Sequence, residues 1–171
     1  RILRFVRSLP GCENACVLKA QPETAVRETY RIVGEVQITH RDYTSGRIFD
    51  DAISYSFYPI DLHDHDGVKP KPLSEGIIAT VPLRALIPKE SRNLLVAGRS
   101  VSSDRLANSA LRVQASCMAM GQAAGAAAAL SARLETTPGQ VSVTTLHELL
   151  IQHGAIVPSL DMKKFRDRVI N

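Results

Sequence analysis

The sequence has no tryptophan, few other aromatic residues and only three cysteines, which excludes several classes of protein. Three cysteines (Cys12, Cys16 and Cys117) cannot form a complete disulfide framework, so a small disulfide-held extracellular domain is excluded. Hydrophobic residues nevertheless make up 44% of the 171 residues, enough to bury a core. The net charge of +4 is spread along the chain, and aromatics amount to only 5%, so no nucleic-acid partner is indicated.

The sequence also lacks a strongly apolar run of membrane-spanning length. Its longest apolar stretch, residues 113–134, is rich in alanine and carries two glutamines and an arginine, so we interpret it as a buried helix. The chain begins at Arg1 without an initiator methionine, and its first nine residues carry a helical apolar pattern that stops at Pro10. We therefore expect the chain to be the later part of a longer protein.

Hydrophobic periodicity predicts an architecture that mixes helices and strands. Predicted strands lie at residues 15–20, 30–39, 53–58, 77–81, 83–87 and 93–97. A short helix and turn around Gly46 is predicted over residues 43–52, and a loop is predicted over residues 62–74. Predicted helices lie at residues 111–134 and 145–153, the second with Thr145 and Glu148 at capping-box spacing and Gly154 as its stop. A last amphipathic helix is predicted from Asp161.

Residues 93–130 are the most informative part of the chain. A continuous apolar run, typical of a strand buried on both faces, ends in Ala97-Gly98-Arg99, and a polar loop then leads to the long helix. Small residues recur along that helix, although glycine inside a helix costs about 1 kcal/mol relative to alanine. Either the helix packs very closely on another element, or a flat ligand lies on its N-terminal donors.

Two polar clusters are further candidates. Residues 61–66 carry three aspartates and two histidines, which could ligate a metal in a hydrolase or form a solvated turn before Gly67. Arg27 and Arg31 could bind a substrate carboxylate or carbonyl, or lie in water at a strand edge.

Several blocks occur in one order along the chain: RETYRIVGE (27–35), YPIDLH (58–63), VPLR (81–84), IPK (87–89), NLLVAGR (93–99) and LRVQASCMAMGQAAG (111–125). Together they strongly resemble the C-terminal segment of the FAD-dependent oxidoreductase family, in a bacterial branch of which some members are labelled xanthan lyase-like. The resemblance implies a flavoprotein with a glutathione-reductase-like plan of two domains. We therefore expect an α/β (α+β) fold.

The resemblance divides the chain into three predicted parts. Residues 1–90 would belong to a mixed substrate domain with a partial β-sheet. Residues 91–135 would supply the last strand and long helix of a Rossmann-like FAD-binding domain, and residues 136–171 a helical extension. The family's Gly-x-Gly-x-x-Gly turn lies far upstream of this segment and does not occur here. We therefore expect the missing N-terminal half of the same protein to complete the site, and this chain alone to be inactive.

The resemblance also implies roles for particular residues. The contacts to the ribityl and isoalloxazine parts of FAD would come from Ala97, Gly98, Arg99, Ser116, Met118, Ala119, Gly121 and Gln122. The substrate side of the flavin would present Asp61, His63, Arg27 and Arg31, with His63 as an acid or base near neutral pH. The substrate would be a small molecule. The alternative is a non-enzymatic α+β module that binds a partner or forms homo-oligomers through exposed apolar surface.

Overall fold

A two-stranded antiparallel sheet packed against one long helix forms the centre of the fold. The computed structural model describes residues 1–23, 26–28, 30–64 and 67–158. The helices of this part are α1 (Ile2–Val6), α2 (His40–Ser45), α3 (Arg105–Leu111), α4 (Gln114–Arg133) and α5 (Val143–Gln152). The strands are β1 (Ala52–Ser56), β2 (His63–Asp64), β3 (Gly67–Val68) and β4 (Ala79–Pro82). The 3₁₀ turns are Leu83–Ala85, Gly98–Ser100 and Pro138–Gln140. The fold is therefore of the α+β class.

The central sheet pairs β1 with β4. Ser54 lies opposite Val81 and Ser56 opposite Ala79, with a register irregularity between Ala52 and Ser54. All four residues of β4 are buried, as are four of the five in β1. The predicted strands at 53–58 and 77–81 are thus confirmed, each shifted by one or two residues. The predicted loop at 62–74 contains the short hairpin formed by β2 and β3.

The long helix α4 lies across β1 and also packs against α5. Its buried residues recur every three or four positions, so one stripe of the helix faces the core (Ser116, Met120, Ala123, Ala127, Leu130). Helix α5 adds Leu146 and Leu150, and His147 Nε2 lies 2.7 Å from the carbonyl oxygen of Ala52. The predictions of both helices are confirmed. The predicted capping role of Thr145 is wrong, because α5 begins earlier, at Val143.

Helix α2 is fixed by its two ends. Thr39 Oγ1 accepts a hydrogen bond from the Asp42 amide, and the Asp42 carboxylate accepts one from the Thr39 amide. Burial disfavours the charge on Asp42, but hydrogen bonds from Arg47 and Thr39 outweigh this effect and lower its pKa. Gly46 ends the helix at φ 65°. The short helix and turn predicted over residues 43–52 is therefore a helix that begins three residues earlier than predicted and a turn at Gly46.

Segment 30–39 confirms the predicted alternation but not the predicted strand. Its side chains alternate between interior and surface, with Gly34 and Ile38 buried and Val33 exposed. Its backbone forms two isolated bridges, from Gly34 to Pro88 and from Ile38 to Ser103. The partner changes along the segment, so no continuous ladder forms.

Three other strand predictions are wrong. The described part of the chain supplies segment 93–97 with one backbone hydrogen bond, from the Val96 amide to Leu86, and Leu94 is 50% exposed. A strand buried on both faces needs a hydrogen-bonded neighbouring strand and a packed layer on each face of its sheet. Residues 83–85 instead form a 3₁₀ turn, in which the Arg84 amide donates to the Asp51 carboxylate. Segment 15–20 has no strand, and Leu18 is 93% exposed.

Helix α3 lies where a polar loop was predicted. The Asp104 carboxylate accepts from the amides of Ala107 and His40, so one side chain caps α3 and holds the start of α2. The apolar pattern of the first residues is confirmed as helix α1. The helix predicted from Asp161 falls outside the described residues.

Replacing Gly34 with alanine should destabilise the fold. A Cβ at this position would lie 2.7 Å from Ser102 Cβ and 3.1 Å from the carbonyl oxygen of Ala85, so the neighbours must move. We expect a loss of about 1–3 kcal/mol in the free energy of unfolding, measured by chemical denaturation. Gly125→Ala is the matched control: it meets no atom within 4 Å. That variant should gain up to about 1 kcal/mol from helix propensity. Equal effects of the two changes would contradict the packing described here.

Candidate functional site

The turn at Ala97-Gly98-Arg99 lies beside the first turns of α4. Gly98 has φ 82°, and a Cβ added to it would lie 3.9 Å from Cys117 Sγ. Asn108 Nδ2 donates to the carbonyl oxygen of Arg99 at 3.1 Å, and Arg99 Nη1 donates to that of Val26 at 2.6 Å. The structure therefore brings two stretches of the predicted cofactor site together, the glycine turn and the start of the long helix.

Within the described residues, no side chain caps the N-terminus of α4. The residue at the N-cap, Val113, offers no hydrogen-bonding side chain, and Gln114 and Ala115 are exposed. The first amide that bonds back along the chain is that of Cys117, to the carbonyl oxygen of Val113. The first-turn donors of a 20-residue helix, together with its partial positive charge, are therefore available to an electron-rich group.

The open amides lie before most of the predicted cofactor residues. Helix α4 begins at Gln114, whereas the residues of this helix predicted to contact the cofactor are Ser116, Met118, Ala119, Gly121 and Gln122. The amides of Met118, Ala119, Gly121 and Gln122 are inside the helix, where amides bond to carbonyls four residues earlier. These four residues can therefore contact a ligand through their side chains or exposed surface, and not through helix-start amides. Met118 is 74% exposed.

The same residues line two adjoining grooves along the exposed face of α4. One groove, of about 1000 Å³, lies between α4, β1 and residues 75–78, and Met118, Ala119 and Gln122 form one wall. The other, of about 630 Å³, lies between α4 and α5 and includes Gly121 and Gln122. A Cβ at Gly121 or Gly125 would meet no described atom within 4 Å. Close packing within the described chain therefore does not explain these glycines.

Ser116, predicted to contact the cofactor, is buried in a chain of hydroxyl groups. Tyr43 Oη donates to the carbonyl oxygen of Tyr58 at 2.8 Å, and a carbonyl oxygen can only accept. Ser56 must therefore donate to Tyr43 and Ser116 to Ser56, each at 3.0 Å. Burial raises the pKa of Tyr43, so its phenol stays protonated at neutral pH. This chain fastens the first turn of α4 to the end of β1.

Cys117 lies beneath the glycine turn but is not an activated nucleophile. Its Sγ lies 3.8 Å from the carbonyl oxygen of Leu111. Burial raises the pKa of the thiol, and the nearby charge of Arg99 only partly opposes this effect. The thiol is thus protonated at neutral pH, and its role here is to fill space under Gly98.

A buried ion cluster lies just before the start of α4. The Arg112 side chain is 7% exposed, and its Nε lies 3.1 Å from Glu28 Oε1, although no directed hydrogen bond joins these two atoms. Arg112 Nη2 donates to the backbone carbonyl oxygen of Asp61 at 3.0 Å and lies 3.9 Å from Asp61 Oδ2. The sequence analysis missed this cluster, because its members come from three distant parts of the chain.

The residues predicted for the substrate side lie in different parts of the structure. Asp61 belongs to the ion cluster, and its amide donates to Ser109 Oγ. His63 lies in β2 opposite Val68. Arg31 is half-buried and donates from Nε to the carbonyl oxygen of Ser103, while Arg27 is exposed. Asp61 and Arg31 are thus both hydrogen-bonded to the region that precedes α4.

Other site hypotheses have less support. Among the residues the structure describes, no three histidine, cysteine or acidic side chains are grouped to hold a metal ion. His65 and Asp66, which the metal hypothesis also needs, fall outside that part. No helix in the described ranges is long and apolar enough to cross a bilayer.

The comparison with known families identifies the class of protein. A sequence model described as FAD dependent oxidoreductase matches residues 1–150 of the chain. The chain therefore belongs to the FAD-dependent oxidoreductase family, so the family that its ordered blocks predicted is confirmed. No curated protein and no solved structure is significantly similar to it.

Replacing Tyr43 with phenylalanine should show how much the hydroxyl chain stabilises the fold. The Tyr58 carbonyl loses its donor and Ser56 its acceptor, so we expect a loss of about 1–2 kcal/mol in thermal or chemical unfolding. Tyr30→Phe is the matched control, because Tyr30 is 89% exposed, and its effect should stay within about 0.5 kcal/mol. A Tyr43→Phe variant as stable as the control would mean that the chain does not hold α4.

Proposed function

We propose that this chain is the C-terminal part of an FAD-dependent oxidoreductase with a glutathione-reductase-like plan. It contributes the glycine turn at Gly98 and helix α4 to the cofactor side, and Asp61, His63, Arg27 and Arg31 to the substrate side. The N-terminal half of the same protein supplies the dinucleotide-binding turn. The substrate is a small molecule, and the chain by itself is inactive.

The observation that carries this proposal is the uncapped start of α4 beside the turn at Gly98. A helix N-terminus stabilises the negative charge that develops on the pyrimidine side of a reduced flavin. The exposed residues Gln114 and Ala115 leave room for a ring system there. The grooves lined by Met118, Ala119, Gly121 and Gln122 lie further along the same helix. The residues present thus fit the cofactor that the family uses.

When bound, the flavin supplies the two-electron chemistry, accepting a hydride equivalent from the substrate. The residues of this chain bind and orient. The amides of the first turn of α4 would hold the electron-rich edge of the ring, and the hydroxyl chain through Ser116 keeps that turn in place. Arg27 can bind an anionic or carbonyl group of the substrate, and a histidine at position 63 can exchange a proton near neutral pH.

The presence of the cofactor is tested by reconstitution. FAD is added to the 171-residue chain and to the longer protein that includes its upstream reading frame, and both are desalted. The longer protein should keep yellow, stoichiometric flavin, whereas the chain alone should keep little or none, because it lacks the Gly-x-Gly-x-x-Gly turn that holds the pyrophosphate. A colourless longer protein under conditions that permit refolding would overturn the proposal.

The position of the flavin is tested by Gln114→Glu in the longer protein. An acidic residue in the first turn stabilises a helix by about 0.3–1 kcal/mol, so unfolding should not become easier. The same charge opposes the electron-rich edge of the flavin, and FAD affinity should fall by about two- to fivefold. Affinity is measured by titration of the apoprotein, followed by flavin fluorescence.

Thr144→Glu is the matched control, because Thr144 is an exposed residue in the first turn of α5. It adds the same charge in the first turn of another helix and should leave FAD affinity unchanged. Equal affinities of the two variants would mean that α4 does not face the flavin.

A second candidate function, an interaction or oligomerisation module, rests on exposed apolar side chains. Ile2 is 82% exposed, Leu18 93% and Leu94 50%. Such surfaces favour association. A monodisperse monomer of this chain in light scattering would exclude homo-oligomers, and flavin retention by the longer protein would separate the enzyme from a non-enzymatic module.

A further inference from the structure

We propose that Arg112 is a positioning residue that holds both substrate-side segments, one at Glu28 and the other at residues 60–64, against the start of α4. The name substrate side rests on the proposed function, whereas the contacts of Arg112 with the two segments are independent of that function. A single buried guanidinium contacts both segments, and it belongs to the residue just before the N-cap of α4.

The contacts at Asp61 fix its backbone from two directions. The Asp61 amide donates to Ser109 Oγ at 3.1 Å, and the Asp61 carbonyl oxygen accepts from Arg112 Nη2 at 3.0 Å. Ser109 Oγ donates in turn to the carbonyl oxygen of Leu106 at 2.7 Å. Residue 61 is therefore attached to α3 and to the corner between α3 and α4, whatever the state of its own carboxylate.

The anchored residue lies at the base of a hairpin. Ile60 and Lys71 exchange two backbone hydrogen bonds, of 3.0 and 2.9 Å, next to Asp61. Beyond this base, β2 and β3 carry the hairpin on, with His63 paired to Val68. A shift of Asp61 is therefore carried to His63, the predicted acid or base. Arg112 thus acts on His63 through the backbone and does not itself react.

The contact with Glu28 adds a charged attachment to the other segment, in which the Ile32 amide donates to Ser100 and Arg31 donates to Ser103. Glu28 lies between the two arginines predicted to bind substrate, and its Oε1 lies 3.1 Å from Arg112 Nε. The exposed fractions of the Glu28 and Asp61 side chains are 26% and 15%, so water screens these charges only in part. Without the guanidinium, both partly buried carboxylates would lose their counter-charge, residue 61 would keep its bond to Ser109, and both segments would be held more loosely against α4.

Only arginine provides this geometry. Its extended planar head reaches both segments, so Nε lies beside Glu28 while Nη2 donates to Asp61. A lysine at the same position has one compact ammonium group on a flexible stem and keeps the charge. It can restore one of the two attachments but not both.

The test is amide hydrogen exchange, read by mass spectrometry, on the FAD-loaded longer protein carrying Arg112→Met, Arg112→Lys or Glu28→Ala. Arg133→Met is the control, since Arg133 is an exposed arginine at the other end of α4. Exchange is compared in residues 30–33 and 58–64, and in the middle of α4. The flavin content of each variant is measured after desalting.

We expect Arg112→Met to speed exchange at least tenfold in both segments, with the middle of α4 and the flavin content unchanged. Arg112→Lys should recover the protection of one segment. Glu28→Ala should speed exchange in residues 30–33 alone, so it keeps the test valid if Arg112→Met does not fold. Arg133→Met should change neither segment.

The proposal is overturned if exchange in both segments stays within twofold of the wild type in Arg112→Met, or if it rises equally throughout α4. It is also overturned if Arg112→Lys recovers neither segment, or if Glu28→Ala loosens residues 58–64 as much as residues 30–33. A wild-type protein that keeps no flavin would overturn the proposed function. The exchange pattern, measured on the same protein without FAD, then still decides whether Arg112 holds the two segments.

Discussion

The placement of the first turn of α4 is the constraint on which the candidate site depends. Two buried polar networks meet at this turn: the hydroxyl chain through Ser116 holds the turn itself, and the cluster at Arg112 holds two other segments against it. Arg112 attaches the preceding corner to Glu28 and Asp61, and Ser116 joins the hydroxyl chain that ends at the carbonyl oxygen of Tyr58. Since neither network uses the exposed amides at Gln114 and Ala115, the donor end of the helix remains open beside the turn at Gly98.

The position of α4 also governs the rest of the core. One stripe of the helix packs on β1, and α5 packs against the same helix. The remaining face carries Met118, Gly121 and Gly125 and borders both grooves. The helix thus separates a packed side, which stabilises the fold, from an open side, which is free to accept a flat ligand or another part of the protein. The small residues on the open face fit this division.

Features with a local physical cause could be predicted from the sequence. The apolar spacing of α4 and α5, the end of α2 at Gly46 and the alternation around Gly34 and Ile38 all arise from neighbouring residues. The cap at Asp104 is also local, but no strong apolar period follows it, and α3 was missed. The family resemblance located the cofactor residues one or two turns into α4, while the open donors lie at its very start.

What could not be predicted depends on partners that lie far away in the chain. Residues 93–97 have the composition of a buried strand, but the described residues offer only Leu86 as a backbone partner. A strand forms only where another strand lies beside it, and an apolar run does not show which one. The cluster of Glu28, Asp61 and Arg112 is invisible for the same reason. Glu28 and Arg112 carry no local signal of an ion pair, and Asp61 was predicted only for the substrate side, so nothing in the sequence joins the three residues.

The central claim, that FAD lies on the open start of α4, is tested most directly by photolabelling. The longer protein is loaded with FAD that carries an azide on its isoalloxazine ring, irradiated, digested and analysed by mass spectrometry. The account predicts labels on peptides covering residues 97–99 and 114–122, and their loss when unmodified FAD competes. Labels confined to other parts of the chain, or no label that competes with FAD, would contradict it.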